Sequence, residues 1–251
     1  MIKDKRIKKI KEYVMEHESA SLDELVTVFD VSKNTIRRDV QELVDNGELK
    51  KVYGGVSAIH KKLESFQDRQ VRNLQEKVLI SETASSFIED GDFIFLDSGT
   101  TTIEMFNFLK EKNLTIFTNS IDFIVRALPY ENLNVISIGG MVDRKTNSFV
   151  NPRNMDLLKD YNIKKAFMAS TGISLVNGVT NASPNESELK KTVVNRSSEV
   201  YLLVDHNKFD KYGLMTYCGL DEVDYIVTDR APEENYQEFA KQNNIQFVIA
   251  E

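Results

Sequence analysis

Residues Val31–Gly55 read VSKNTIRRDVQELVDNGELKKVYGG, and their pattern sets the fold of the N-terminal part of the chain. Ser32 is a natural N-cap standing directly before a helical pattern. Ile36, Val40 and Leu43 recur at i, i+4 and i+7, so one face of that helix meets a core. Asn34, Arg38 and Gln41 project from the opposite face, with Lys33 and Arg37 on its flank. Gly47 ends the helix as a C′ glycine. Glu48–Val56 then carries Lys50, Lys51 and a Gly54-Gly55 turn, the pattern of a β-hairpin wing. A polar, basic helix face followed by a wing suits entry into the major groove of double-stranded DNA.

The local charges separate the two arginines. Arg38 has Glu42 at i+4, so an intrahelical ion pair competes with a DNA contact. Arg37 has no acid at i±3 or i±4 and has like-charged Lys33 at i−4, which costs roughly 0.2–0.5 kcal/mol unless an anion is present. Upstream, Ile7, Ile10 and Val14 predict a first amphipathic helix whose other face carries Lys3, Lys5, Lys8, Lys9 and Lys11. Ser21 and Glu24 form a capping box before the stripe Leu22, Leu25, Val26, Phe29 of a short second helix, with Asp30-Val31 as the tight connection. Three short helices and a wing make a winged helix-turn-helix over residues 1–58, with Lys51 and Tyr53 of the wing as further DNA contacts.

Composition narrows the rest. Residues 1–62 hold 13 Lys and Arg against 11 Asp and Glu, a net +2, while the remainder hold 19 against 28, a net −9. The weakly basic end speaks against a non-specific nucleoid protein and calls for a dimer or tetramer to raise DNA affinity. No apolar run is long enough to span a membrane. The lone Cys218 excludes an internal disulfide, fits a reducing cytoplasm and is not expected to be a nucleophile. Three scattered histidines make no metal site: His206 is a candidate ligand contact, and His17 and His60 read as surface residues. No cofactor is implied.

Residues 59–75 read as a linker or connecting helix, and 76–251 as an α/β domain. Apolar runs at Phe93–Leu96, Leu114–Phe117, Val135–Ile138, Ala166–Ala169, Val200–Val204, Tyr225–Val227 and Phe247–Ile249 predict buried strands of a mostly parallel sheet. Such sheets bind ligands beyond the carboxyl ends of their strands. The first run ends in Asp97-Ser98-Gly99-Thr100-Thr101-Thr102 before a helix containing Met105, Phe106 and Leu109, a loop of amides and hydroxyls suited to phosphate. The competing reading is a capped turn, since Thr101 and Glu104 spell T-x-x-E. Other strand ends add Asn119, Gly139, Thr171 with Gly172, and Asp205 with Lys208. Lys208 could neutralise a phosphate, and Asp97 or Asp205 could accept sugar hydroxyls. Glu186, Glu188 and Lys190 follow Pro184 near a helix start, where acids are also expected from the dipole alone.

The order and spacing of VSKNTIRRD, NGELKKVYGG, DSGTTT, TNS, IGG, GVT, ESELKK and LLVDHNKF resemble the DeoR family of transcriptional regulators over nearly the whole chain. The resemblance implies a winged helix-turn-helix joined to a domain similar to ribose-5-phosphate isomerase, which senses a phosphorylated sugar and controls a carbohydrate operon, most often by repression. Carried over by position, it places Thr35, Arg37 and Arg38 on DNA. Asp97 through Thr101, Glu186, Glu188, Lys190 and Lys208 would line the effector pocket. Tyr53 departs from the family, which often has His before the wing glycines. The alternative is a sugar-phosphate isomerase with a DNA-binding appendage, with Glu186 or Glu188 as base and Lys190 or Lys208 as the electrophile.

Overall fold

The computed structural model describes residues 3–58, 65–150, 158 and 160–251, so the reading of His60 lies outside the described residues. The chain forms two compact units, 1–62 and 63–251.

In the first unit, α1 (Lys3–His17), α2 (Leu22–Phe29) and α3 (Lys33–Asp45) pack the apolar stripes expected of them. Ile10, Val14, Leu25, Ile36, Val40 and Leu43 form one core with Leu49 and Val56. The capping box is present: Glu24 N donates to Ser21 Oγ at 3.1 Å, and Ser21 N donates to Glu24 Oε2 at 3.3 Å. β2 (Leu49–Val52) and β3 (Gly55–Ala58) form the antiparallel wing, with Gly54 at φ +78° in the turn. β1 (Ser19–Ser21), absent from the sequence reading, pairs with β3 and makes the wing three-stranded. This pairing explains Gly55, where a Cβ would lie 2.2 Å from the Ala20 carbonyl oxygen.

A buried ion pair sets α3 against α1. Arg6 Nε donates to Asp39 Oδ2 at 2.6 Å and Arg6 Nη2 to Oδ1 at 3.3 Å, with Asp39 only 2% exposed. Lys3–Glu42 and Lys11–Glu48, both 2.7 Å, tie α1 to α3 and to the chain entering β2 from more exposed positions, where such pairs contribute little.

The second unit begins with α4 (Phe66–Val71) and α5 (Leu74–Ser85), so residues 66–75 of the expected connecting stretch are mostly helical and belong to this unit. There follow β4 (Phe93–Leu96), α6 (Phe106–Leu109), β5 (Leu114–Thr118), α7 (Ile121–Ala127) and β6 (Leu133–Ser137). Next come β7 (Met141–Asp143), β8 (Ser148–Val150), β9 (Ile163–Ala169), β10 (Gly172–Ser174), β11 (Gly178–Asn181) and α8 (Pro184–Arg196). The unit closes with β12 (Ser197–Leu203), β13 (Met215–Cys218), β14 (Tyr225–Thr228), α9 (Glu234–Gln242) and β15 (Gln246–Ile249).

Seven strands form one sheet in the order β6-β5-β4-β9-β12-β14-β15, with every pair parallel. Apolar clusters cover both faces, which is why these strands read as continuous hydrophobic runs. All seven predicted runs fall on strands, although β6 begins two residues before Val135–Ile138 and ends one residue short of it, and β9 and β12 begin three residues earlier than predicted. Two smaller antiparallel sheets, β7-β8 and β10-β11-β13, are additions to the expected plan. Strand order reverses between β4 and β9, so their carboxyl ends mark the place where such sheets take ligands.

Replacing Arg6 with alanine leaves Asp39 buried without its partner, and is expected to cost about 3–5 kcal/mol in the first unit. Denaturant unfolding followed by helical signal measures it; a loss under about 1 kcal/mol, the level of an exposed pair, would show that the pair is not a structural tie.

Candidate DNA interface and candidate effector site

Ser32 caps α3 by accepting from Thr35 N at 3.2 Å, and its hydroxyl lies 2.9 Å from Thr35 Oγ1. The face turned from the core leaves Asn34, Arg37, Arg38 and Gln41 exposed. Glu42 pairs with Lys3, and neither Arg37 nor Arg38 makes a hydrogen bond or ion pair among the described residues. The expected competition between Glu42 and DNA for Arg38 therefore does not arise. Lys33 is engaged with Asp23 at 2.5 Å on the surface, and Gln41 donates to Asp45 at 2.7 Å. In the wing, Lys51 is exposed and Tyr53 is fully so. Two guanidinium groups side by side on a solvent-facing helix can take phosphate oxygens or the O6/N7 edge of guanine.

The polar cluster of the second unit is built around Asp97, which is wholly buried at the end of β4. Its Oδ2 accepts from Ala169 N at 2.9 Å and from the Lys190 ammonium, while its Oδ1 accepts from Ser98 N at 2.9 Å. Lys190 also donates to the Ala169 carbonyl at 2.8 Å and lies over the Tyr217 ring. Gly99 is required by packing: a Cβ there would lie 2.2 Å from Ala169 Cβ. The T-x-x-E reading is corrected, because Thr101 is itself helical and caps nothing through its side chain. Thr102, not Thr101, ties the loop, donating to Asp97 O at 2.6 Å with Gly99 O at 2.9 Å.

Glu186 is buried and accepts from Ser148 Oγ at 2.9 Å, Asn181 Nδ2 at 3.0 Å and Ser98 Oγ at 3.4 Å. Asn119 is wholly buried, donates to Ser98 Oγ at 3.3 Å, and leaves its Oδ1 without a hydrogen-bond partner, as is Ser170 Oγ after β9. Asp97, Ser98, Asn119, Glu186 and Lys190 are thus brought together. Thr171 borders them through Asn181 at 3.4 Å, and Lys208 donates to Thr171 O at 3.4 Å. Glu188 is not in this group: two residues from Glu186 on α8, it points to solvent. Gly139 sits in a turn, donating to Ser137 Oγ at 3.2 Å, and Gly172 is dictated by the Lys211 backbone, 2.5 Å from where its Cβ would be. His206 lies against Asp229 at 2.6 Å, and His17 is exposed. Burial pushes the Cys218 thiol well above its ordinary range, which leaves it a poor nucleophile.

Sequence reading missed Lys77. It lies on α5 one turn before Ser81, whose hydroxyl donates to Thr101 O at 2.7 Å, so Lys77 borders the Asp97–Thr101 loop. Its side chain is buried and its ammonium donates to the Arg69 carbonyl. Burial lowers its pKa to about 8; Asp205 opposes the shift, and Lys208, Arg72 and Arg69 add to it. Asp205 is buried and also accepts from Asn207 N at 2.9 Å and Asn73 Nδ2 at 3.4 Å. Nothing in the sequence around Lys77 marks it, because Asp205 and Lys208 come from a segment more than a hundred residues away.

A winged helix-turn-helix followed by an α/β sensor unit defines a DNA-binding transcriptional regulator. Residues 6–62 match the DeoR-like helix-turn-helix domain and residues 72–230 the DeoR C terminal sensor domain. The chain belongs to the DeoR family. It is 44% identical to the HTH-type transcriptional regulator IolR of Bacillus subtilis over 98% of both chains. The lactose phosphotransferase system repressor of Staphylococcus epidermidis is 32% identical, over 91% of this chain and 93% of the repressor. These relatives are named as regulators, so the isomerase alternative is not favoured. Among solved structures, ribose 5-phosphate isomerase A of Methanocaldococcus jannaschii aligns at 18% identity and a TM-score of 0.40, over 55% of each chain. No described helix is long and apolar enough to cross a membrane.

The lowered pKa of Lys77 makes a signed prediction. An ammonium whose folded value is about 8 against an ordinary 10.5 penalises the folded state fully below pH 8, and the penalty is relieved as pH rises from 8 to 10.5. The stability difference between Lys77→Met and wild type should therefore change across that window, with wild type gaining on the variant as pH rises. Melting curves at pH 7.5 and 10 read it, and a pH-independent difference contradicts it.

Proposed function

We propose that this protein is a repressor of a carbohydrate operon whose operator affinity is set by a phosphorylated sugar bound in the crevice of the second unit. The observation that carries this reading is that buried Lys77 lies within electrostatic range of Asp205, Lys208, Arg72 and Arg69, on the helix whose Ser81 holds Thr101 of the loop after β4. These four cations, opposed by the Asp205 carboxylate, form with the loop amides and hydroxyls a site for a dianionic group. Asp205, Glu186 and the unpartnered Asn119 Oδ1 supply acceptors for sugar hydroxyls. The relative named for a lactose phosphotransferase system supports a sugar-linked role. On DNA, Arg37 and Arg38 take the central contacts, with Ser32, Lys33, Asn34, Thr35 and Gln41 beside them and Lys51 and Tyr53 on the wing.

The protein acts as a dimer or tetramer on repeated half-sites, because one slightly basic unit neutralises few phosphates. The effector changes operator affinity only by its differential binding to two states of the protein, commonly about 5–150-fold.

Titration of the full chain on its own upstream DNA, with and without a panel of sugar phosphates, tests the reading. Arg37→Ala should weaken specific binding by about 1–3 kcal/mol if it reads a base, or lower the salt slope by about 1 if it holds a phosphate. Effector affinity should fall as pH rises through about 8, where Lys77 loses its proton. Operator binding indifferent to every sugar phosphate would defeat the effector assignment and leave the DNA assignment standing.

A further inference from the structure

Two separate routes lead from the effector crevice to α4, and both end on Arg69. In the first, Lys77 on α5 donates its ammonium to the Arg69 carbonyl. In the second, Glu186 accepts from Ser148 at 2.9 Å, at the start of β8. β8 pairs with β7, and in the turn between them the Lys145 carbonyl accepts from Arg69 Nη2 at 3.0 Å. The hairpin thus has one end in the crevice and its turn on α4, with Thr146 Oγ1 bonded to Ser148 Oγ at 2.8 Å along the way.

α4 has six residues, too few to be stable as an isolated helix. Its position depends on its ties to the rest of the unit: the burial of Phe66 and the two hydrogen bonds above. It is also the first helix after residues 59–64, which follow the wing in sequence. A phosphate beside Lys77 is a far stronger acceptor than a peptide carbonyl. Drawing the ammonium toward it weakens the tie to Arg69. A ligand hydroxyl on Glu186 competes with Ser148 and loosens the hairpin.

We infer that α4 is the element that reports effector occupancy toward the DNA-reading end of the chain, with Arg69 as the positioning residue on which both routes converge. The inference rests on the effector reading above and adds to it how the signal leaves the site.

The test uses full-length wild type, Arg69→Ala and Arg69→Lys. Hydrogen–deuterium exchange is followed over residues 65–72 with and without inorganic phosphate, whose binding is measured by calorimetry in the same buffer. Phosphate should raise exchange in this segment of the wild type several-fold. Arg69→Ala removes the guanidinium tie to Lys145 but keeps the carbonyl that accepts from Lys77, so its exchange should start higher and respond to phosphate less than wild type, and Arg69→Lys should restore part of the response. In operator titrations, Arg69→Ala should keep the affinity of the ligand-free protein, while the effector-dependent ratio, commonly about 5–150-fold, falls several-fold with the loss of the hairpin route. If Arg69→Ala does not melt cooperatively, exchange in the wild type decides alone. Phosphate that binds without altering residues 65–72, or an Arg69→Ala protein that responds like wild type, overturns the inference and leaves the effector reading intact. If neither phosphate nor any sugar phosphate binds or alters operator binding, the effector reading falls and this inference with it.

Discussion

The buried Asp97–Lys190 pair is the constraint around which the second unit is arranged. Asp97 leaves β4 at the point where strand order reverses, and its carboxylate has no water to turn to. A buried carboxylate is tolerable only if its lone pairs are filled. They are filled by Ser98 N, Ala169 N and Lys190, which bind the loop after β4, the end of β9 and the face of α8 to one another. With those three segments held, Ser98 falls within reach of Glu186 and Asn119, and the loop continues to Thr101 against α5. The polar residues of the crevice are therefore positioned by an interaction that leaves Asp97 and Lys190 largely occupied with each other.

The first unit solves a similar problem with another buried pair. Arg6 satisfies both oxygens of Asp39 on the inner side of α3, which leaves Arg37 and Arg38, two residues and one residue before Asp39, turned outward. Adjacent positions on a helix are separated by about 100°, so an acid locked inward forces the basic pair to solvent. Glu42, the acid within helical reach of Arg38, is drawn off by Lys3. The reading face thus keeps its positive charge although the unit as a whole is only slightly basic.

Most elements were legible because their patterns are local. Ser21 with Glu24, Ser32 before α3 and Gly47 after it are signals contained within a few residues, and each occupies the place expected of it. The parallel strands announced themselves as apolar runs because both faces are covered. The hairpin β7-β8 and the sheet β10-β11-β13 did not: their strands are three or four residues long and carry no continuous apolar run, and β11 pairs with β13 more than thirty residues on. Thr101 and Glu104 satisfied a capping pattern without forming one, because Thr102 takes the loop's carbonyls instead.

What the sequence by itself determined is the class of the molecule: a winged helix-turn-helix, a parallel α/β sensor and the loops at its strand ends. These follow from periodicity and caps, which act over one or two turns of chain. Tertiary structure alone decided which charges face inward and which face a ligand. It placed Lys77 beside Lys208 and Asp205, sent Glu188 to solvent while burying Glu186, and joined Arg69 to both the crevice and the β7-β8 turn. Those pairings span from eight to more than a hundred residues, and the energy of a charge depends on its surroundings in space, which no local pattern encodes.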